Sequence, residues 1–285
     1  MDLAKLTDVT FTYAYSEEPA LRGVSASLER GLIYGVVGAN GAGKTTFTQL
    51  LRGIVPFFHE GELSGRVEVL GKDLAAWDRT ELSTTVGCVF DNPFTQISGI
   101  KETVFEEIAF GLENLGWSRT DIFQRVQEVT AMLSLEPLGA KNPRQLSGGQ
   151  RQKVAFAAIV AMDPSVYVID EPTSQLDPAT TEDVFDIILG LRKRGKSVVL
   201  AENNIDQLAR VADRIIVLER GTVVAEGTVA DVLAGPIPAA ASIPYPELAE
   251  IWRTAGLEGA APLTKQEYID RCPILGDSKG GGDEH

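Results

Sequence analysis

The sequence predicts an α/β protein built on a mainly parallel sheet, and three observations carry that expectation. Short β-branched runs recur: LIYGVVG (32–38), TVGCVF (85–90), SVYVID (165–170), SVVLAE (197–202) and RIIVL (214–218). Several are apolar throughout, with no alternation, which marks strands buried on both faces. Helical patterns lie between them, and alternating strand and helix defines the α/β class.

The elements follow in chain order. The opening segments AKLTDVTFTYAY and LRGVSASLERG alternate apolar and polar residues, as an antiparallel edge does. Residues from 92 to about 162 show no convincing strand and read as a helical subdomain inserted into the core. DPATTEDVFDIILGLRKRG (177–195) is the clearest helix. Asp177 can cap it, Pro178 suits its first position, and Val184, Ile187, Ile188 and Leu191 form an apolar stripe. Arg192, Lys193 and Arg194 suit its C-terminal dipole, and Gly195 ends it. Asp206 is expected to cap the next helix, QLARVADR. RIIVLERGTVVAEG reads as a hairpin turning at Arg220-Gly221.

The main unit is expected to span 1–235. The Pro- and Ala-rich stretch after it reads as a linker over 236–246. Two helical patterns, ELAEIWRTAGL and TKQEYIDRC, form an expected C-terminal extension over 247–275, with Thr264 and Glu267 at capping-box spacing. The last residues, 276–285, have the composition of a disordered tail.

Lys and Arg number 26 against 40 Asp and Glu, a net charge of −14. Nucleic-acid binding needs a basic footprint, so that class is set aside. A nucleotide site is not, because a few backbone amides and one lysine suffice to hold a phosphate. Cys88 and Cys272 have no metal spacing and no disulfide framework, and Cys88 reads as a buried structural thiol in a reducing compartment. The N-terminus has no signal-peptide core, and no apolar run approaches the roughly 20 residues of a membrane span. The expectation is a cytosolic protein whose membrane role, if it has one, requires a membrane partner.

Three motifs carry chemistry. GANGAGKTT (38–46) fits G-x-x-x-x-G-K-[ST] between an expected strand and an expected helix. Gly38, Asn40, Gly41, Ala42 and Gly43 let backbone amides close around phosphate oxygens. Lys44 supplies charge to the β- and γ-phosphates, Thr45 is placed to ligate Mg²⁺, and Thr46 follows it into the helix. VYVIDEP (166–172) ends a strand in adjacent carboxylates. Asp170 suits Mg²⁺ as a hard oxygen donor, and Glu171 suits a general base that polarises water. Alone such a pair says little; downstream of a P-loop it says much more. LSGGQ (146–150) places Ser147, Gly148, Gly149 and Gln150 at the start of a helix, where an anion can bind. The P-loop already serves this chain's own phosphates, so a second anion site needs another explanation.

With these motifs in this order, residues 1 to about 233 resemble the ATP-binding cassette (ABC) family. The resemblance implies a P-loop NTPase cassette with a mainly parallel sheet core, an antiparallel β edge, an inserted helical subdomain and a small C-terminal helical extension. It implies ATP and Mg²⁺ as ligands and a head-to-tail dimer, in which each ATP lies between one chain's P-loop and the other's LSGGQ. Tyr13 matches the aromatic that stacks on adenine, with Tyr15 the alternative. SQLD (174–177) matches the loop that contacts the opposite cassette through Asp177. VFDNPFTQI (89–97) resembles the segment VFQNPDDQI of energy-coupling-factor (ECF) ATPases, and APLTKQEYI resembles their C-terminal extension.

Two positions depart from the family. Asp91 stands where the family has the glutamine that reaches Mg²⁺ and the attacking water. Asn203, in VVLAENNID (198–206), stands where the family has the histidine that contacts the γ-phosphate. Asparagine still donates a hydrogen bond but cannot become cationic. Its neighbours Glu202 and Asn204 are expected on the opposite side from it, solvated or bonded to the loop. Both departures fall in one composite site, while the parts lent to a partner are intact. The resemblance therefore implies the ATPase subunit of an importer for vitamins or metal ions, on the cytoplasmic face of the membrane. Its partners are transmembrane subunits and a second cassette, which is a different chain or a copy of itself, and its own site is weakened. The alternatives are an ATP-binding regulatory or structural subunit with negligible turnover, and a soluble ABC ATPase with no transport role.

Overall fold

The computed structural model describes residues 2–90, 96–174, 176–241 and 243–271. Asp91, with 92–95, lies outside them, as do Gln175, Cys272 and the tail.

Two sheets form the frame. The first contains β1 (Asp2–Tyr13), β2 (Leu21–Glu29), β4 (Gly61–Val69) and β5 (Lys72–Asp73), in the antiparallel order β2-β1-β4-β5. The second contains β3 (Ile33–Val37), β6 (Val86–Val89), β7 (Val166–Asp170), β8 (Ser197–Ala201), β9 (Arg214–Glu219) and β10 (Thr222–Thr228), in the order β10-β9-β3-β8-β7-β6. All its pairings are parallel except the β9–β10 hairpin. Every residue of β3, β7 and β8 is buried, the physical counterpart of runs that never alternate. The strand β4 has no counterpart in the sequence reading. Its residues 64–66 are exposed and only Val67 and Val69 are buried, so its alternation is too short to announce a strand.

Helices α1 (Lys44–Leu51) and α2 (Arg79–Thr85) precede β6. Between β6 and β7 lie α3 (Val104–Asn114), α4 (Arg119–Met132) and α5 (Gly148–Met162), with no strand among the described residues there. Helix α6 (Pro178–Lys193) follows β7, and α7 (Ile205–Val211) follows β8. As expected, Asp177 caps α6 by accepting from the Thr180 amide. The buried face of α6 is Thr181, Val184, Phe185, Ile188 and Leu191. Ile187 is only half-buried, so the stripe is rotated from the expected one towards Phe185.

Two expectations are corrected. Asn204, not Asp206, caps α7, its side chain accepting from the Gln207 amide. Asp206 lies in the first turn, and its carboxylate accepts from the Glu247 amide (2.8 Å). The stretch 236–246 also does not behave as a free linker. It carries the short helix α9 (Ile237–Ala240) after α8 (Val229–Leu233), and it buries Ala241 and Ile243 in the main core. The extension, α10 (Glu247–Thr254) and α11 (Lys265–Arg271), adds Ala249, Trp252, Ala261 and Leu263 to the same cluster. Among the described residues no helix is long and apolar enough to cross a membrane. Cys88 is half-buried, and burial pushes its thiol up to about 12.

Candidate functional site

Strands β3, β8 and β7 are adjacent and parallel, so their C-terminal ends open at one edge of the sheet. That edge is where α/β sheets bind ligands. The P-loop leaves β3, Asp170 and Glu171 end β7, and Glu202 and Asn203 follow β8. The sequence's separate motifs are thus brought together by topology alone.

The P-loop turns into α1 through Gly43, whose φ of 102° is in the left-handed region. A Cβ there would lie 2.7 Å from the Ala20 carbonyl oxygen, so only glycine fits. Lys44 is 6% exposed, and its Nζ donates to the Gly38 carbonyl (2.9 Å) and the Ala39 carbonyl (3.4 Å). The loop therefore holds its lysine across its own mouth. Asn40, Gly41, Gly43, Lys44, Thr45, Thr46 and Glu171 line one cavity with Ala20. Ala42 is buried behind it, its carbonyl accepting from the Gly221 amide. Gly38 lines a neighbouring cleft with Asn203.

Asp170 is 8% exposed. Thr48 donates to its Oδ2 (3.3 Å), and its Oδ1 has no hydrogen-bond partner among the described residues. Burial raises its pKa, the Thr45 hydroxyl pulls it down, and the Glu171 charge pushes it up again. A cation would relieve both the burial and the repulsion. The Asp170 carboxylate and the Thr45 hydroxyl together supply hard oxygens that suit Mg²⁺, with water and phosphate oxygens to complete the shell. No cluster of three or more His, Cys, Asp or Glu exists among the described residues, so the protein alone would not cage a metal.

Glu171 adopts φ 42°, a backbone conformation rare for residues with a Cβ. Its amide donates to the Ala201 carbonyl (2.8 Å). Its Oε1 lies 3.8 Å from Lys44 Nζ and accepts from Asn203 Nδ2 (2.9 Å). Asn203 therefore stands on the carboxylate, where it can orient it. Glu202 was expected to be solvated or loop-bonded; it is 4% exposed and fully bonded. Its Oε1 accepts from the amides of Asn203 (2.8 Å) and Asn204 (3.1 Å), and its Oε2 accepts from the Thr173 hydroxyl (2.8 Å). The loop-bonded alternative holds: β8 ends at Ala201, and the chain turns so that the carboxylate meets the amides of its own loop. Glu202 and Thr173 are the residues the sequence reading did not place in the site.

Tyr13 sits at the rim. Its hydroxyl is 3.0 Å from Thr46 Oγ1 and donates to Gln49 (3.2 Å), and its ring packs edge-on against Phe11. The side chain is thereby tied to the helix that follows the P-loop. Tyr15 is fully exposed.

The LSGGQ segment lies apart. Ser147 caps α5 in a reciprocal box with Gln150: Ser147 Oγ accepts from the Gln150 amide, and Gln150 Oε1 accepts from the Ser147 amide. Ser147, Gly149 and Gln150 line a pocket with Lys153, Thr180 and Asp183, and this pocket shares no residue with the P-loop cavity. Gly148 opens the helix beside them.

A glycine-rich phosphate loop, a strand-borne carboxylate pair and a mixed α/β core with an antiparallel sheet define a P-loop nucleotide-binding protein of the cassette type. The chain belongs to the ABC transporter family, whose model matches residues 21–174. A protein of Pyrococcus horikoshii, named provisionally as an ABC transporter ATP-binding protein, is 38% identical over 95% of this chain and 96% of its own length. The energy-coupling factor transporter ATP-binding protein EcfA2 of Methanospirillum hungatei is 38% identical over 79% of this chain and 55% of its own. Among solved structures, cbiO1 of Clostridium perfringens, part of the ABC transporter complex cbiONQ, superposes with a TM-score of 0.74 at 26% identity, covering 88% of this chain and 99% of that one. A dimeric ATP-binding cassette in a post-hydrolysis state, bound to ADP and Pi, superposes at 0.66 with 29% identity, over 79% of this chain and 98% of its own.

Proposed function

We propose that this chain is the ATP-hydrolysing motor subunit of an ECF-type importer of vitamins or metal ions, and that it is the partner with the weakened own site in an asymmetric cassette dimer. ATP and Mg²⁺ bind at the P-loop, with Lys44 on the phosphates and Thr45 and Asp170 towards the metal. Glu171 acts as the base on water. Tyr13 receives the adenine, and Asp177 faces the opposite cassette. ATP closes the dimer, hydrolysis reopens it, and transmembrane subunits on the cytoplasmic face of the membrane follow that movement. The likeness to EcfA2 and to cbiO1 supports the importer type, and the dimer bound to ADP and Pi supports the composite site. The separation of the LSGGQ pocket from the P-loop cavity agrees with a site completed by a second chain.

The carrying observation is the Asn203–Glu171 hydrogen bond. It keeps the base oriented, so the site retains hydrolysis. Asparagine supplies no cationic contact to a developing γ-phosphate charge, and loss of such a donor costs about 10²–10³ in rate. The test is Asn203→His combined with Asp91→Gln, with a normal partner cassette present. Turnover at this site should rise by at least about tenfold; an unchanged rate would sink the asymmetry. The regulatory reading differs in one readout, since it requires no single-turnover hydrolysis at this chain's own P-loop.

A further inference from the structure

We infer that Glu202 is a positioning residue for hydrolysis: its buried carboxylate locks the loop carrying Asn203 to the loop carrying Thr173, and thereby sets the Asn203 amide on Glu171. The inference rests on the reading of Glu171 as the base.

A carboxylate that is 4% exposed is costly unless its charge is compensated. Among the described residues no cationic side chain is paired with Glu202. Instead three donors converge on it: two successive backbone amides on one oxygen and a threonine hydroxyl on the other. An ionised carboxylate is an acceptor only, with lone pairs enough for all three. Successive amides converging on one oxygen hold the chain in a single turn after β8. That turn decides where the Asn203 side chain points.

The backbone supports the same lock. The Glu202 amide donates to the Val36 carbonyl of β3 (3.3 Å), just before the P-loop, while the Glu171 amide donates to the Ala201 carbonyl. Glu202 is thus fastened to β3 by its backbone and to the segment after β7 by its side chain. Asn203 is left with one adjustable part, its side chain, and that part bonds Glu171. Releasing Glu202 frees the loop without touching the P-loop lysine or the Asp170 carboxylate. The consequence belongs to the chemical step, because a misplacement near 1 Å at a reacting group costs up to about 10²-fold.

The substitutions separate this role from mere structure. Glu202→Gln keeps the shape, and its carbonyl oxygen still accepts from both amides while the Thr173 hydroxyl rotates to accept. Glu202→Ala removes all three bonds, and Thr173→Val removes one. Two readouts are taken on the full chain with its partner cassette: amide hydrogen exchange at Asn203 and Asn204, and single-turnover ATP hydrolysis with the apparent ATP affinity. Glu202→Ala should speed exchange at both amides and slow single turnover about tenfold, with ATP affinity within about twofold of wild type. Thr173→Val should do the same to a smaller degree, and Glu202→Gln should stay near wild type in both. Combined with Asn203→Ala, Glu202→Ala should add nothing further to the rate loss, because it acts through that residue.

Unchanged exchange in Glu202→Ala would overturn the lock. So would a rate loss fully additive with Asn203→Ala, or a loss of ATP affinity equal to the loss of rate. If wild type shows no single turnover at all, the hydrolytic reading above falls, and exchange alone still decides whether Glu202 holds the loop.

Discussion

Asp170 is a carboxyl held out of water with one oxygen bonded and the other not. Burial raises its pKa, so the folded chain binds this proton more tightly than the unfolded chain does. The resulting penalty is present when the carboxyl is ionised and is relieved as pH falls through the raised value. Asp170→Asn should therefore raise the melting temperature of the chain, measured without Mg²⁺ or nucleotide at neutral pH. The gain is read as a higher thermal midpoint of the variant than of wild type at neutral pH. The gain should shrink as pH is lowered into the acidic range, and under the proposed function the variant loses Mg²⁺-dependent hydrolysis. Equal melting temperatures at neutral pH would show that the carboxyl carries no such strain. The types of the P-loop and carboxylate residues, and so their chemistry, could be read from the sequence. The burial of Glu202 could not, because a charged residue at a strand end is solvated in most chains.

At the scale of elements, the start of α5 with its LSGGQ residues packs on the start of α6. A Cβ on Gly149 would lie 2.5 Å from Thr180 Cγ2 and 2.7 Å from its Oγ1, so the Thr180 side chain or one of the two helices would have to shift. Thr180 in turn donates its hydroxyl to Asp177, the cap of α6. Gly149→Ala should destabilise the chain by about 1–3 kcal/mol, the usual range for overpacking, seen as a lower urea midpoint. In the proposed two-cassette assembly it should also lower ATPase activity while leaving ATP binding to this chain alone intact. A parallel loss of ATP binding would place the damage elsewhere. Most elements here were legible. The buried strands announced themselves by unbroken apolar runs, and α6 by its cap, its Pro178 and its stripe. The strand β4 was not legible, since its exposed middle hides the alternation. The Asp206 cap was misplaced by two residues because Asn204 and Asp206 are both good cap formers, and only the turn of the backbone selects between them.

On the scale of the whole molecule, the C-terminal extension is part of the cassette core. Trp252 is buried in the same cluster as the helices that back the six-stranded sheet and packs edge-on against Tyr268. Asp206, next to the Asn203 loop, holds the start of α10 through the Glu247 amide. Ile243 and Pro244 wall a cleft with Gly38, Glu202 and Asn203. Trp252→Ala should cost about 3–5 kcal/mol. Calorimetry should show one transition moved to lower temperature, because extension and cassette share one core. Two separate transitions, with the upper one unmoved, would mean that the extension folds on its own.

The sequence by itself determined the phosphate loop, the strand that ends in Asp170 and Glu171, the helix that LSGGQ opens and the α/β alternation. Each is a short-range pattern, in which spacing dictates backbone geometry and residue type dictates chemistry. The tertiary structure alone decided that Asn203 donates to Glu171 across 32 positions of chain, that Glu202 is buried between two loops, and that residues 236–246 dock on the core. Those outcomes depend on which strand ends lie side by side, and strand order is a property of the folded sheet that no local run of residues encodes.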